Sequence, residues 1–530
     1  MIKLGSLERK SRIQLLLFVL LSITLALIYG RMIKWTVSLN FILFYLALIY
    51  FWSIGIQQKI VSLFILTLVT LNLSASFNAI HYYNSSFSVI SAHSVLNTGL
   101  SESSEFIESH FDSVIFILLF ILVSVILLIS INKIASPLRF KKYFWLFIAF
   151  NSILFIFGSF TTKANLSGAR NYNLTINFIQ KSVLFNFHPL LIAWNEKNLI
   201  SILSQNKDYS YFKSSSIPTA NDISAIIVIG ESARRDRHGV FGYHQETTPN
   251  MSKRKKELLV FNKANSSSSQ TVLSVPSSLT SVSIKNVSPY NLQKNIINLL
   301  NQSGFQTEWL SMQGLSSGKH ESYITAIAKM STSHKAIATQ YDTQILEHVH
   351  PEKNKVIFIH LNGSHFNFHS RYPKSFSLAN LKANAGEDKS LYEYDTSIAY
   401  TDKLLEQLIQ KLIGKNAVLV YFSDHGLENR FGKFKHGISS PSQEAYEVPF
   451  FIWQSKQFKK NNSLSESNLN KTFNTQDLFF TIADTLGIKN YHGEQHCKSI
   501  VQNCYQEPIK NIVVDETLSY HQFESLKREH

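Results

Sequence analysis

Cysteine is what this chain most clearly lacks. Its two cysteines, Cys497 and Cys504, lie close together near the C-terminus and form no Cys-x-x-Cys metal site. They are either one local disulfide, as an oxidising compartment allows, or two free thiols. The net charge of +15 comes without a basic stripe, zinc-finger spacing or an RNA-binding aromatic signature, so we expect no nucleic-acid partner. A basic balance also suits an anionic lipid surface.

Charged residues are also few, at 16% against 45% hydrophobic residues, and the shortage is concentrated at one end. The first 160 residues are apolar and aromatic, whereas the remainder has the composition of a water-soluble domain. A helix needs about 20 residues to cross a bilayer. We therefore predict five transmembrane helices, at residues 13–29, 37–55, 60–75, 114–131 and 143–160, the third being the shortest. No small-residue cleavage site follows the first stretch, which argues against a signal peptide.

The loop of residues 76–113 contains no lysine or arginine. Basic residues instead mark the N-terminus and the loop after the fourth stretch: Lys3, Arg9, Lys10, Arg12, Lys133, Arg139, Lys141 and Lys142. The positive-inside rule places these two segments in the cytoplasm, although Arg31 and Lys34 in the short first loop oppose the assignment. An odd number of crossings then puts everything after residue 160 outside, in the periplasm or cell exterior, where no ATP is available.

Residues 161–222 form the predicted connection between the membrane domain (1–160) and the soluble domain. Within it, residues 174–194 are amphipathic and either lie along the membrane surface or pack on the soluble domain. We expect Pro189 to break or kink any helix here. The soluble domain is predicted to span residues 223–515, followed by a tail at 516–530.

The soluble domain alternates β-type runs with helical patterns, which favours an α/β fold with a mostly parallel sheet. Strands are expected at residues 224–229, 305–310, 356–359, 417–422 and 448–453, and helices at 292–302 and 394–413.

Three short motifs carry the chemistry. Glu231 follows one predicted strand in Gly230-Glu231-Ser232, and Asp424 and His425 follow another in Ser423-Asp424-His425-Gly426. Ligands gather at the carboxyl ends of strands in α/β sheets, and carboxylates and imidazole are good Zn²⁺ ligands. Between the two motifs lies Thr271, ahead of a helix-like segment whose N-terminus stabilises anions. A hydroxyl held as the fourth ligand loses its proton more easily, which predicts Thr271 as a nucleophile.

With these motifs, the chain resembles the membrane-anchored phosphoethanolamine transferases of Gram-negative bacteria, members of the alkaline phosphatase/sulfatase-like superfamily. The resemblance covers almost the whole chain. Besides the motifs above, it rests on Tyr243…Thr247-Thr248-Pro249-Asn250, Thr271…Ser274-Val275-Pro276, Gly363-Ser364-His365 and Arg371-Tyr372-Pro373. It implies five membrane helices followed by an alkaline phosphatase/sulfatase-like α/β domain with a mostly parallel central sheet, in the inner membrane with the catalytic domain in the periplasm.

The resemblance also implies roles for individual residues. Glu231, Thr271, Asp424 and His425 match the family's zinc ligands, and Thr271 matches its nucleophile. The other implied residues would bind substrate phosphate, a second zinc ion or the donor: His365, His436, His360, Thr98, Glu102 and Lys319. Thr98 and Glu102 resemble a Thr-x-x-x-Glu element that reaches toward the amine of the donor.

The sequence departs from this family pattern in places. Many members hold the nucleophile turn with a disulfide, where this chain has Ser267 and Ser277. Members that modify lipid A tend to continue Gly-Ser-His with Gly-Pro, where this chain has Phe366 and Asn367. A sulfatase nucleophile motif needs arginine at the position of Ser278, so hydrolysis of sulfate esters is not expected.

The predicted function is transfer of phosphoethanolamine from phosphatidylethanolamine to lipopolysaccharide, on a core sugar or on lipid A, through a covalent Thr271 intermediate and Zn²⁺. Three alternatives remain. One is a glycerol-phosphate transferase resembling lipoteichoic acid synthase, against which the Ser-Val-Pro after Thr271 argues. Another is a membrane-tethered phosphatase or phosphodiesterase. The last is a membrane sensor or scaffold with an inactive domain, which the complete set of Glu, Thr, Asp and His disfavours.

Overall fold

The structure is a computed structural model of the 530-residue chain. It describes residues 43–44, 46–48, 51, 56–83, 86–98, 114–115, 118–119, 121–122, 125–126, 141–158, 184–205, 212, 222–315, 322–377, 389–430, 433–435, 441–488 and 497–529. These fall into two compact units, Met1–Trp194 and Asn195–His530, and each is described by itself.

The first unit is helical wherever an extended segment of it is described. Its helices are α1 (Ile56–Tyr83), α2 (Val89–Asn97) and α3 (Lys141–Gly158). Among the described residues one stretch, Gln57–Ile80 of α1, is long and apolar enough to cross a bilayer. The core helix of a soluble protein can have the same length and composition, so the five-span count stays a prediction. The spans predicted at residues 13–29 and most of 37–55 lie outside the described residues.

Helix α1 is longer than the predicted 60–75 stretch and continues into the loop expected outside the membrane. Its later turns are polar but paired. Asn186 donates its main-chain N–H to Oδ1 of Asn72 at 2.8 Å, and its side-chain amide donates to Oγ of Ser76 at 2.6 Å. All three residues are buried, and these bonds satisfy polar groups that would otherwise oppose burial.

The predicted effect of Pro189 is wrong. A continuous helix, α4 (Phe187–Gln205), includes it, and extends well beyond the predicted end at Trp194. Pro189 lies in the first turn, where a main-chain N–H has no partner within the helix, so proline is tolerated.

The second unit contains the remaining elements. Its helices are α5 (Pro249–Lys253), α6 (Thr271–Leu279), α7 (Ile296–Gln302), α8 (Tyr323–Lys329), α9 (Lys389–Leu412), α10 (Lys456–Asn461) and α11 (Leu478–Thr485). Its strands are β1 (Ser224–Gly230), β2 (Leu258–Val260), β3 (Lys263–Asn265), β4 (Gln306–Ser311), β5 (Ser333–Ala336), β6 (Lys355–His360), β7 (Ala417–Ser423), β8 (Glu428–Arg430), β9 (Lys433–Lys435), β10 (Phe450–Gln454), β11 (Thr472–Asn474), β12 (Ile512–Val514) and β13 (Tyr520–Gln522).

Seven strands form the central sheet in the order β2-β10-β7-β1-β6-β4-β5. The run from β7 to β5 is parallel, and β10 is antiparallel to both of its neighbours. The predicted mostly parallel α/β sheet is therefore confirmed. Its central strand β1 is buried along its whole length, as expected for a parallel strand covered on both faces.

Apolar side chains pack on both faces of this sheet. Ile227 and Ile229 of β1 belong to one hydrophobic cluster with helices α6, α7 and α11, while Ile226 and Val228 belong to the other with α9. Helix α9 starts at Lys389, before the predicted start at residue 394. Near the C-terminus, Cys497 and Cys504 form a disulfide, as one of the two sequence interpretations expected.

Candidate metal centre

Two neighbouring strands bring three potential metal ligands to one edge of the sheet. Strands β1 and β7 pair in parallel with Gly230 opposite Ser423, so Glu231 and Asp424 are the first residues beyond each strand. His425 follows directly. The ligand atoms of Glu231, Asp424 and His425 all lie within 4.8 Å of one another, and all three side chains are buried. The strand register thus brings the three residues side by side.

The ring of His425 is oriented by its own main chain. Its Nδ1 lies 2.8 Å from the carbonyl oxygen of Gly426, which only accepts hydrogen bonds, so Nδ1 is assigned as the protonated donor. In the neutral ring, Nε2 then directs a lone pair toward the carboxylates. Nε2 lies 3.5 Å from Oε1 of Glu231 and 3.4 Å from Oδ2 of Asp424.

This arrangement fits a cation. The Oδ2 atom of Asp424 is buried and makes no hydrogen bond to any described residue. Burial alone lowers the pKa of His425, but Asp424, Glu231 and the Gly426 carbonyl outweigh it and raise the pKa. The negative charge that favours a proton on Nε2 also favours a metal ion there. One imidazole and two carboxylates are a donor set that Zn²⁺ accepts.

Thr271 completes the cluster as the first residue of α6. Its Oγ1 donates to Oε2 of Glu231 at 3.2 Å and lies 3.2 Å from Nε2 of His425. Helix N-termini leave main-chain N–H groups unpaired and stabilise anions, so an anion bonded to Oγ1 gains from the helix. The hydroxyls of Ser267 and Ser277 hydrogen-bond to each other and link the preceding loop to this helix.

The loop after β6 covers the cluster. Gly363 has a φ of 50°, and a Cβ atom at this position would come within 2.8 Å of the main-chain nitrogen of Glu231. The buried carboxylate of Asp342 accepts hydrogen bonds from the N–H groups of Asn362 and Gly363 at 3.0 and 2.8 Å. Burial raises the pKa of Asp342, and these two N–H groups limit the rise. The loop is therefore fixed by its close contact with Glu231 and by its hydrogen bonds to Asp342.

Two predicted histidines lie on or beside this loop. Burial lowers the pKa of His365; Glu231 opposes the shift, whereas Arg371 and His425 add to it. His360 ends β6, and burial lowers its pKa to about 4. Its Nε2 makes no hydrogen bond to a described residue. His360 is not one of the residues whose ligand atoms form the cluster of three.

The other predicted residues are placed less fully. His436, Glu102 and Lys319 lie outside the described residues. Thr98 belongs to the first unit, where its hydroxyl donates to the carbonyl of Ser94 at 2.7 Å.

The arginines that follow Ser232 are held in ion pairs. Arg234 binds Asp236 at 2.7 Å and Glu529 at 2.8 Å, while Arg237 binds Asp395 at 2.8 Å. The other oxygen of Glu529 accepts the main-chain N–H of Asn429 at 2.6 Å. Glu529 thereby joins the loop after β1, which carries Glu231, to strand β8, which follows the Asp424-His425 segment.

Several side chains around the cluster were not anticipated from sequence. Gln313, just beyond β4, donates its amide to Oε2 of Glu231 at 2.9 Å and to the carbonyl of Leu361 at 2.8 Å. Asp342, described above, is a second case. Ser232 and Tyr394 are further cases: the main-chain N–H of Ser232 donates to Asp424, and the Tyr394 hydroxyl donates to the main-chain carbonyl of Ser232. Of these, Ser232 and Gln313 carried a sequence signal, since each closely follows a predicted strand.

Comparison with known proteins agrees with this fold. The sulfatase family model matches residues 224–488, half of the chain. YhbX of Escherichia coli (strain K12), provisionally named a transferase, is 36% identical over 293 residues, covering 54% of this chain and 52% of YhbX. Phosphoethanolamine transferase EptC of the same strain is 27% identical over 365 residues, covering 62% of this chain and 61% of EptC. The chain thus spans only about half to three fifths of these curated relatives.

Solved structures show the same architecture. The C-terminal periplasmic domain of Escherichia coli EptC, in complex with zinc, has a TM-score of 0.51 at 24% identity and covers 60% of this chain and 96% of that domain. EptA of Neisseria meningitidis, an integral membrane lipooligosaccharide phosphoethanolamine transferase, has a TM-score of 0.58 at 16% identity and covers 84% of this chain and 88% of that protein. At these identities the likeness shows the fold alone.

Proposed function

The chain belongs to the sulfatase family. Within this family, we propose that it is a phosphoethanolamine transferase that modifies lipopolysaccharide. The single observation that supports this most directly is the Thr271 hydroxyl, 3.2 Å from both Glu231 and His425, at the N-terminus of a helix. That is the arrangement of a metal-assisted nucleophile for phosphoryl chemistry. The relative EptC is named as a phosphoethanolamine transferase.

The proposed reaction has two steps. Oγ1 of Thr271 attacks the phosphorus of phosphatidylethanolamine, its bond to phosphorus forms as the bond to diacylglycerol breaks, and diacylglycerol leaves with a proton. An oxygen of a lipopolysaccharide hydroxyl or phosphate then attacks the phosphorus, its bond to phosphorus forms as the bond to Oγ1 of Thr271 breaks, and the proton of the acceptor restores the threonine hydroxyl. Throughout, the N-terminal N–H groups of α6 stabilise the phosphoryl oxygens, and we assign His365 and His436 to the same task, with His360 and Lys319 as further phosphate contacts.

Zinc is the proposed cofactor, held by Glu231, Asp424, His425 and Thr271. When bound, zinc would lower the pKa of the Thr271 hydroxyl and neutralise charge on the phosphoryl group. The choice of zinc is supported by the donor set, by the orphaned Oδ2 of Asp424 and by the zinc complex of the EptC domain.

We further propose a multi-pass inner-membrane protein. Residues 1–160 would form the five-helix anchor, 161–222 the connection, 223–515 the periplasmic catalytic domain and 516–530 its tail. Thr98 and Glu102 of the outside loop would contact the amine of the donor. This location gives the domain access to a membrane phospholipid as donor, so the transfer needs no ATP. The integral membrane neighbour EptA supports the proposed location.

Reporter fusions test this topology. A reporter that is active only outside the cytoplasm should be active when fused after Asp222 and silent when fused near Lys141, because the charge pattern places these positions on opposite sides. A second reporter, active only in the cytoplasm, should give the inverse pattern. Activity of the first reporter at Lys141 and silence at Asp222 would reverse the proposed orientation.

For the acceptor we propose a core sugar of lipopolysaccharide rather than lipid A. Phe366 and Asn367 stand where lipid A-modifying members tend to have Gly-Pro. In the structure Asn367 has a φ of 61°, and the Phe366 ring packs on Phe368 at 6.0 Å between centroids. The Phe366 ring also lies 6.0 Å from the His365 ring, in space that a glycine would leave open, which favours a different acceptor surface.

Mass spectrometry of lipopolysaccharide from cells with and without the protein tests the reaction and its acceptor together. Mild acid separates the core from lipid A, and we expect the added phosphoethanolamine in the core fraction. Addition only in the lipid A fraction would overturn the acceptor but keep the reaction. No difference between the two lipopolysaccharides, in cells shown to make the protein, would overturn the transferase itself.

A further inference from the structure

Ser232 connects both carboxylates of the metal centre. Its main-chain N–H donates to Oδ1 of Asp424 at 2.9 Å, and its hydroxyl donates to Oε1 of Glu231 at 2.6 Å. Each carboxylate therefore has one oxygen engaged by Ser232. What remains is Oδ2 of Asp424, which makes no hydrogen bond among the described residues, and Oε2 of Glu231, which accepts hydrogen bonds from the Thr271 hydroxyl and the Gln313 amide.

This double contact requires an unfavourable backbone. Ser232 has a φ of 57°, in the left-handed region that a residue with a Cβ rarely occupies. Such conformations persist when the surrounding structure fixes them, and they are common at functional sites. Something must therefore hold the chain on both sides of Ser232.

Tyr394 of helix α9 does so. Its hydroxyl donates to the carbonyl of Ser232 at 2.7 Å and accepts the N–H of Arg234 at 2.9 Å. The side chain is fully buried, and its ring packs against Phe368 and Phe434 with centroids 5.0 and 4.7 Å away. A ring fixed in this way gives the hydroxyl one position.

We propose that Ser232 and Tyr394 are positioning residues of the metal centre: Ser232 leaves one oxygen of each carboxylate for the metal, and Tyr394 holds Ser232 in the conformation that does this. The inference rests on the metal centre of the proposed function, not on the identity of donor or acceptor. Groups that orient metal ligands in this way typically change metal affinity by about 10- to 100-fold when they are removed.

The test is zinc affinity, measured on the full-length protein in detergent by competition with a chelating dye. Tyr394→Phe should weaken zinc binding by about 10- to 100-fold, and excess zinc should restore phosphoethanolamine transfer. Tyr505→Phe is the matched control. Tyr505 is also buried and also donates to a main-chain carbonyl, that of Thr472, away from the ligands. It should lower the unfolding temperature but leave zinc affinity unchanged.

Ser232→Gly provides a second measurement if Tyr394→Phe folds poorly. Glycine accepts the φ of 57° and keeps the N–H bond to Asp424, so only the hydroxyl bond to Glu231 is lost. We expect weaker zinc binding in this variant too. Wild-type affinity in either folded variant overturns the proposal and leaves the metal centre standing. A wild-type protein that binds no zinc overturns the metal centre, and the proposal with it.

Discussion

Replacing Thr271 by alanine should reduce phosphoethanolamine transfer by about a thousandfold or more while zinc remains bound. The variant loses the atom that forms the covalent bond to phosphorus, and removal of a nucleophile is among the most damaging changes to an enzyme. Zinc binding should weaken far less than transfer, because Glu231, Asp424 and His425 stay in place. The assay is the release of labelled diacylglycerol from phosphatidylethanolamine by purified protein.

Two variants sharpen this result. Thr271→Ser keeps a hydroxyl at the start of α6, so part of the activity should survive. Ser268→Ala removes a nearby buried hydroxyl that makes no hydrogen bond among the described residues, and it should change transfer little. Near-normal transfer by Thr271→Ala would show that another group attacks the phosphorus.

The residues that meet at strand ends could be predicted from sequence. Glu231 and Asp424 follow buried, apolar strands, and the parallel pairing of β1 with β7 places them side by side. The same reasoning anticipated β4 and β6. Periodicity gives no comparable information about single loops, which is why Gln313 and Asp342 were not assigned roles.

Tyr394 shows why the rest could not be predicted. It lies 162 residues after Ser232 and occupies an apolar position of an amphipathic helix, where tyrosine usually means ordinary core packing. Nothing in the sequence says that its hydroxyl reaches the main chain beyond β1. The left-handed conformation of Ser232 is equally invisible, because serine has no intrinsic preference for it.

The prediction for Pro189 failed for a different reason. The rule that proline disrupts a helix was applied without regard to the place of Pro189 in that helix. Proline disrupts a helix interior, yet it is accepted in the first turn. Asn186, a common residue at helix starts, directly precedes Phe187, and Pro189 falls in the first turn, so the sequence did contain a signal for the beginning of α4. Helix ends are set by capping and tertiary contacts, which periodicity does not report.

Removal of the metal should abolish transfer and lower stability at once. Without a cation, the buried carboxylates of Glu231 and Asp424 and the lone pair of His425 face one another with almost no exposure to solvent. A ligand that binds only the folded state stabilises it by about 2.7 kcal/mol at 100 times its Kd. We therefore expect chelation to lower the unfolding temperature by several degrees and added zinc to restore both properties.

A matched pair of aspartates separates the metal from ordinary burial. Asp424→Asn should abolish zinc binding and remove the effect of chelation on the unfolding temperature. Asp515 is also buried, but its carboxylate is fully paired within the protein, with Nε2 of His521 at 2.8 Å and Oγ1 of Thr517 at 2.8 Å. Asp515→Asn should lower stability equally with and without zinc. If elemental analysis finds no zinc in the wild-type protein and rigorous chelation leaves transfer intact, the cluster of Glu231, Asp424 and His425 holds a proton rather than a metal ion.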